Sequence, residues 1–246
     1  MTDEDGYFDE AVAATYDETA ADLFDPAVLH PAVDFLADLA AGGRALELGI
    51  GTGRLALPLA AREIEVHGIE LSRAMAARLR AKPGGDGIPV TIGDFTTAAA
   101  AGGPFRVAYL VRNTIMNLTT QEAQVACFRN VAAHLEPGGT FVIEVVVPGL
   151  QRLPPGEMLQ VFAMSDTHWG IDEYDVANQG LISHHIRIVD GRAELFSPPF
   201  RYVWPSELDL MAQLAGMRLR ERWATWTRAP FTAASREHIS VWEKPV

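Results

Sequence analysis

Cysteine occurs once in this chain, at position 127. No intrachain disulfide can therefore brace the fold, and a lone thiol suits a reducing compartment. Cys127 lies in a stretch of helical character, where a small buried hydrophobe is its expected role. No apolar run approaches the roughly 20 residues that a membrane-spanning helix needs, so no membrane partner is expected. The opening residues, MTDEDGYFDE, lack the basic segment and apolar core of a secretory signal, and a cytoplasmic location is the expectation. Positive charge is also scarce. Lys+Arg number 20 against 32 Asp+Glu, a net charge of −12, and only Lys82 and Lys244 are lysines. A protein that grips nucleic acid by neutralising phosphates has the opposite balance, so no nucleic-acid partner is expected.

What is present is enough for a large core: 48% of the 246 residues are hydrophobic, which excludes a disordered chain. From Arg44 onward the pattern alternates strand and helix. Strands are expected over 44–49, 64–69, 89–92, 105–111 and 140–147, and helices over 52–62, 72–81 and 119–135. A further helix is expected over 25–41. Near-continuous apolar strands such as FVIEVVV belong to a parallel sheet buried on both faces. Right-handed crossovers then give a doubly wound α/β layer structure, whose ligand crevice lies at the carboxyl ends of the strands.

The first of these strands runs into Gly49-Ile50-Gly51-Thr52-Gly53-Arg54. Glycine at alternate positions serves a backbone that must take positive φ or let a ligand come close. A dinucleotide fingerprint would place its third glycine at position 54, where this chain has arginine. Glu47 in the approach to the turn would also repel a pyrophosphate.

The string E-L-G-x-G-x-G, an acid at the end of the second strand (Glu70), Gly93-Asp94-Phe95 after the third, and Leu135-Glu136-Pro137-Gly138-Gly139 before the fifth together resemble class I S-adenosylmethionine-dependent methyltransferases. The resemblance covers about residues 25–147. It implies a Rossmann-like methyltransferase fold, a seven-stranded mostly parallel sheet with its last strand antiparallel, and S-adenosyl-L-methionine as cofactor. It also implies roles. Gly49, Gly51 and Gly53 would admit the methionine moiety, Glu47 would help hold the loop and the cofactor's ammonium, and Glu70 with the neighbouring Leu71 would take the ribose. Asp94 and Phe95 would hold the adenine. Val111 and Asn113 would line the transfer site as part of the cofactor-binding set, Asn113 and Asn117 binding either the cofactor carboxylate or the acceptor, and Tyr16 would close over the cofactor together with Tyr7. No metal is implied.

After Pro148 more than fifty residues precede the next helix, expected over 205–214. Strands at 160–164, 168–176, 181–189 and 193–202, with turns at 178–180 and 190–192, form an antiparallel β excursion after strand five. It is expected to lie over the cofactor as the acceptor lid. The arrangement resembles the small-molecule branch of the family, including nucleotide-amino-sugar N-methyltransferases, and implies a possible homodimer through the excursion. Three parts follow: 1–147, an N-terminal arm and the cofactor-binding half; 148–204, the lid and dimerisation excursion; and 205–246, which completes the same sheet with strands over 218–227 and 238–244.

If the acceptor needs a base, His168, His184 and His185 are candidates, with Tyr174 and Tyr202 as hydrogen-bond partners; of the adjacent pair at most one can face the cofactor, and His184 is preferred. Ile182, Ile186 and Ile188 share the parity of His184, so its face is expected to be buried. The expected function is methyl transfer to a small-molecule acceptor, at an amino or hydroxyl group of a secondary metabolite or nucleotide sugar. A methyltransferase-like protein that binds the cofactor in a regulatory role stands as the alternative.

Overall fold

The structure, a computed structural model, describes residues 7–189 and 191–246. Met1 to Gly6 of the arm and Asp190 of the expected Asp-Gly turn lie outside the described residues.

The arm carries α1 (Glu10–Thr19), whose first turn is capped by the Asp9 carboxylate accepting from the Val12 amide. Helix α2 (Pro26–Ala40) begins at Asp25-Pro26, where the proline's missing N–H costs nothing and the aspartate accepts from Ala27. The main sheet is built from β1 (Ala45–Leu48), β2 (Val66–Glu70), β3 (Val90–Ile92), β4 (Phe105–Leu110), β5 (Leu135–Val146), β11 (Arg218–Trp223) and β12 (Glu237–Glu243). Its order is β11-β12-β5-β4-β1-β2-β3. Strands β1 to β5 pair in parallel, and β12 runs antiparallel to both β5 and β11. Every residue of β1 and β2 is buried, which is the price of parallel strands covered on both faces.

Those two faces are two cores. One packs α2, α3 (Ala56–Ala60) and Leu79 of α4 (Arg73–Arg80) against the sheet. The other packs α5 (Gln121–His134) and α6 (Pro205–Leu214), with Phe128, Phe141 and Trp242 stacked edge to face. Chain order reverses between β1 and β4, the switch point at which such sheets bind ligands.

Helix α3 is shorter than the 52–62 span expected. Thr52 and Gly53 still belong to the glycine turn, Gly53 holding φ +82°, so the helix starts only at Ala56.

The excursion forms a second sheet of β6 (Leu159–Met164), β7 (His168–Asp175), β8 (Gly180–Val189), β9 (Arg192–Phe196) and β10 (Pro199–Arg201). The strand expected over 193–202 is split in two around Ser197-Pro198, since a proline cannot donate to a ladder. Tyr174, Leu181 and Tyr202 sink into the same core as α5 and β5, which seats the second sheet above the carboxyl ends of the first.

Candidate functional site

The turn after β1 forms because the Gly49 and Ile50 amides both reach the Ile69 carbonyl at the end of β2, at 2.8 and 3.2 Å. Gly49 and Gly51 hold φ +64° and +55°, the left-handed region that glycine alone enters without strain. Glu70 ties the two strand ends together. One carboxylate oxygen accepts from the Gly51 amide at 2.8 Å and the other from the Ser72 amide at 2.9 Å. Ser72 caps α4 through the Met75 amide and donates to the Phe8 carbonyl at 2.5 Å, so a single hydroxyl joins the arm to the turn.

A second clasp holds the arm from the other side. Asp17 accepts from the Thr52 hydroxyl at 2.6 Å and pairs with Lys82, whose ammonium also reaches the Thr52 carbonyl. Tyr16 packs on Phe8 at 6.1 Å between ring centres, and both lie against Ala74 and Met75 of α4.

Between turn and arm lies a cavity of about 390 Å³, within the range of small-molecule sites. Tyr7, Tyr16, Gly49, Gly51, Glu70, Leu71 and Phe95 of the expected set line it. So do Ser72, Met75, Thr114, Thr119 and the segment 198–200, which the sequence did not single out. The serine carried a signal, an N-cap at the start of a helical pattern. The 198–200 segment carried none, because only the excursion's return brings it there.

Other members of the expected set stand behind the wall. Glu47 is buried and accepts from the Tyr109 hydroxyl at 3.0 Å; burial pushes its carboxyl up to about 8. Gly53 is a packing glycine, for a Cβ there would stand 2.3 Å from Leu79 Cδ1. Asp94 is exposed and closes its own turn by accepting from the Thr96 amide at 2.8 Å, which presents Phe95 to the cavity. Val111 is buried. Arg112 and Asn113 take φ +58° and +62°, a strained corner. It is held by the Arg112 amide on Glu144 and by the Asn113 side chain accepting from the Val146 amide at 2.8 Å. That corner delivers Thr114 and Asn117, at the two ends of the single turn Thr114–Asn117, to the cavity.

The lid strands face the reverse of the way the isoleucines suggested. Ile182 and Ile188 are exposed, whereas Leu181 and Ser183 are buried. The inward positions of β8 are 181, 183 and 185, where Ser183 and His185 hydrogen-bond to each other and His185 packs against the rings of Phe162, His168 and Phe196. His184 therefore points away, held by Ser197 at 2.9 Å and Glu173 at 3.0 Å. Its neighbour His185 faces in, stacked on Phe196 at 4.4 Å and on His168 at 5.2 Å. His185 shares hydrogens with His168 at 3.0 Å and Ser183 at 3.2 Å. Burial, helped by the neighbouring His168 and Arg187, lowers its basicity to about 4, so the ring is neutral. None of these histidines lines the 390 Å³ cavity, and Tyr202 lines a different one, beside Tyr174.

Three comparisons with known proteins bear on this geometry. Residues 45–139 match the family described as a methyltransferase domain. The solved structure of the CcbJ methyltransferase from Streptomyces caelestis superposes with a TM-score of 0.84 at 38% identity, covering 96% of each chain. The cypemycin N-terminal methyltransferase of a Streptomyces species is 29% identical over 94% of this chain and 98% of its own. SAM-bound CalS10, an amino pentose methyltransferase of Micromonospora echinaspora, shares the fold at a TM-score of 0.68 and 21% identity, over 92% of this chain and 96% of its own.

Proposed function

The chain belongs to the S-adenosylmethionine-dependent methyltransferases, and from that premise we propose that it methylates an amino nitrogen of a small molecule held under the excursion. The observation that carries the amino reading is the wall of the 390 Å³ cavity. Among the described residues its ionisable groups are Tyr7, Tyr16 and Glu70, with no histidine or lysine. Burial raises both tyrosines above their ordinary value, so they stay phenols near neutral pH and cannot take a proton from a hydroxyl acceptor, and the two oxygens of Glu70 are engaged by the Gly51 and Ser72 amides. An amine, once neutral, needs no base in the transition state. The N-terminal methyltransferase among the relatives supports the same reading.

The cavity fits the cofactor in chemistry as well as size. Gly49 and Gly51 leave the backbone open to the methionine portion, Glu70 offers acceptor oxygens to ribose hydroxyls, and Leu71 and Phe95 form an apolar slot for the adenine. Bound S-adenosylmethionine supplies a methyl on sulfonium sulfur, an excellent leaving group. The chain's own task is then alignment and exclusion of water. Tyr7, Phe8 and Tyr16 roof the cavity, and Thr114, Asn117 and Phe200 form the acceptor side. Glu47 supports the turn from behind, and Asn113 holds the corner that positions Thr114. The parts divide as arm and cofactor half (1–147), acceptor lid (148–204) and sheet completion (205–246). The setting we infer is cytoplasmic secondary metabolism.

Calorimetry tests the cofactor site. Glu70→Ala is expected to weaken S-adenosylmethionine binding by about 1.5–3 kcal/mol, the worth of a charge-assisted hydrogen bond; unchanged affinity would remove Glu70 from the site. An acceptor screen read as S-adenosylhomocysteine release tests the amino reading, which fails if alcohols turn over and their matched amines do not.

A further inference from the structure

Beyond the cofactor cavity, on the other side of a shared wall, lies a second cavity of about 260 Å³. Thr114, Asn117 and Phe200 line the first, while Met116 and Tyr202, from the same turn and the same strand end, line the second. It sits between the carboxyl end of β5, at Val146 to Gly149, and the inner face of the excursion.

Two arginines line it. Arg152, after β5, and Arg236, just before β12, both line it from exposed positions. Neither forms an ion pair within 4 Å among the described residues, whereas the C-terminal arginines are committed: Arg218 and Arg220 to Glu243, Arg222 to Asp209, and Arg228 to Asp38. Two guanidinium groups of independent origin on one cavity, in a chain of net charge −12, make a local field of the opposite sign to the whole molecule. A guanidinium is suited to two-pronged recognition of carboxylate or phosphate.

The rest of the lining mixes apolar residues, Met116, Val146, Val147, Pro148 and Leu181, with Gln160, Asp172 and two tyrosines. Tyr174 and Tyr202 meet edge to face at 5.8 Å, offering ring faces. The Tyr174 hydroxyl reaches Gln160 at 3.4 Å. Asp172 also lines the space and accepts from Ser183. One carboxylate against two arginines leaves the cavity net positive.

We propose that the second cavity binds the anionic end of the acceptor, a carboxylate or phosphate held by Arg152 and Arg236, while Asp172 and Gln160 take hydrogen bonds from hydroxyl or N–H groups of its body. The acceptor is then an amine that also bears an acidic group. This rests on the methyl-transfer reading, and its test is separable from it.

Calorimetry on the full chain saturated with S-adenosylhomocysteine uses three probes of like shape: 4-hydroxybenzoate, phenyl phosphate and the neutral 4-hydroxybenzyl alcohol. Saturable binding of at least one anion, ten times tighter or more than the alcohol, is expected. Arg152→Gln and Arg236→Gln should each weaken the anion at least fivefold, with S-adenosylhomocysteine affinity and melting temperature as in the parent. Equal binding of the neutral probe, no saturable anion binding, or anion binding indifferent to both substitutions overturns the site. A screen of amines with and without a carboxylate or phosphate decides whose anion it is. Preference for the acidic amines that disappears in the two variants supports the acceptor. Anion binding without that preference belongs to a free effector and overturns the assignment. Failure of the parent chain to bind S-adenosylhomocysteine would instead strike the methyl-transfer reading.

Discussion

Two buried residues set opposing responses to pH. His238 is fully buried; its Nδ1 meets Ser240 at 2.8 Å, its Nε2 has no partner among the described residues, and burial beside Arg222 lowers it to about 3. The unfolded chain protonates this ring near 6.5. Its stabilisation is therefore present above that pH and is lost as pH falls towards 3. Glu47, pushed up to about 8, acts in the other direction. Below its unfolded value near 4.5 both states hold the proton, and between 4.5 and 8 the folded state binds more of it, so stability falls as pH rises. Each slope is at most about 1.4 kcal/mol per pH unit for one proton. Chemical denaturation at stepped pH should show Glu47→Gln removing the decline between 4.5 and 8, and His238→Phe flattening the acid limb below 6.5. A Glu47→Gln curve parallel to the parent's would mean that the carboxyl is solvated.

At the scale of elements, the turn into α3 and the parity of β8 carry the predictions. Gly53 and Gly84 have nearly equal φ, +82° and +80°, but a Cβ at Gly53 would strike Leu79 while one at Gly84 meets nothing within 4 Å. Alanine at Gly84 should cost only the left-handed backbone, about 1–2 kcal/mol. Alanine at Gly53 adds about 1–3 kcal/mol of overpacking, and melting temperatures of the pair separate the two costs. Equal losses would mean that α4 yields freely. His184 is turned towards Glu173 and Ser197, so a pH-rate profile of His184→Ala should overlay the parent's; a lost limb would return it to the reaction.

The whole molecule is two sheets joined through one core, and its exposed apolar surface is concentrated on the second. Among the described residues strand β6 pairs only with β7, so it is an edge, and Leu159, Val161 and Met164 on it are 56%, 56% and 77% exposed. An apolar, unpaired edge invites another strand, and we propose a second copy of this chain as the occupant. Sedimentation of the parent against Val161→Glu should show a dimer weakened by the charge. A monomeric parent would remove the proposal.

The sequence by itself determined the parallel sheet, its glycine turn and the acid at the end of β2, because these obey local rules: continuous apolar runs for strands buried on both faces, and glycine where φ must be positive. It also placed Tyr16 in the arm and Phe95 after β3. Tertiary structure decided which groups touch the cavity. Glu47 and Asn113 stand behind it because side-chain direction at a turn depends on partners such as Tyr109 and Val146, and Gly53 because its backbone packs against Leu79, all of them far away in the chain. The facing of His184 and His185 also depended on the fold. Period-two patterning tells that neighbours oppose each other, but on β8 the inward Ser183 and His185 are satisfied by one another, by His168 and by Phe196 while Ile182 and Ile188 are left exposed, so hydrophobicity pointed to the wrong side. Arg152 and Arg236 lie 84 positions apart, and only the packing of β5, β12 and the excursion brings them to one cavity.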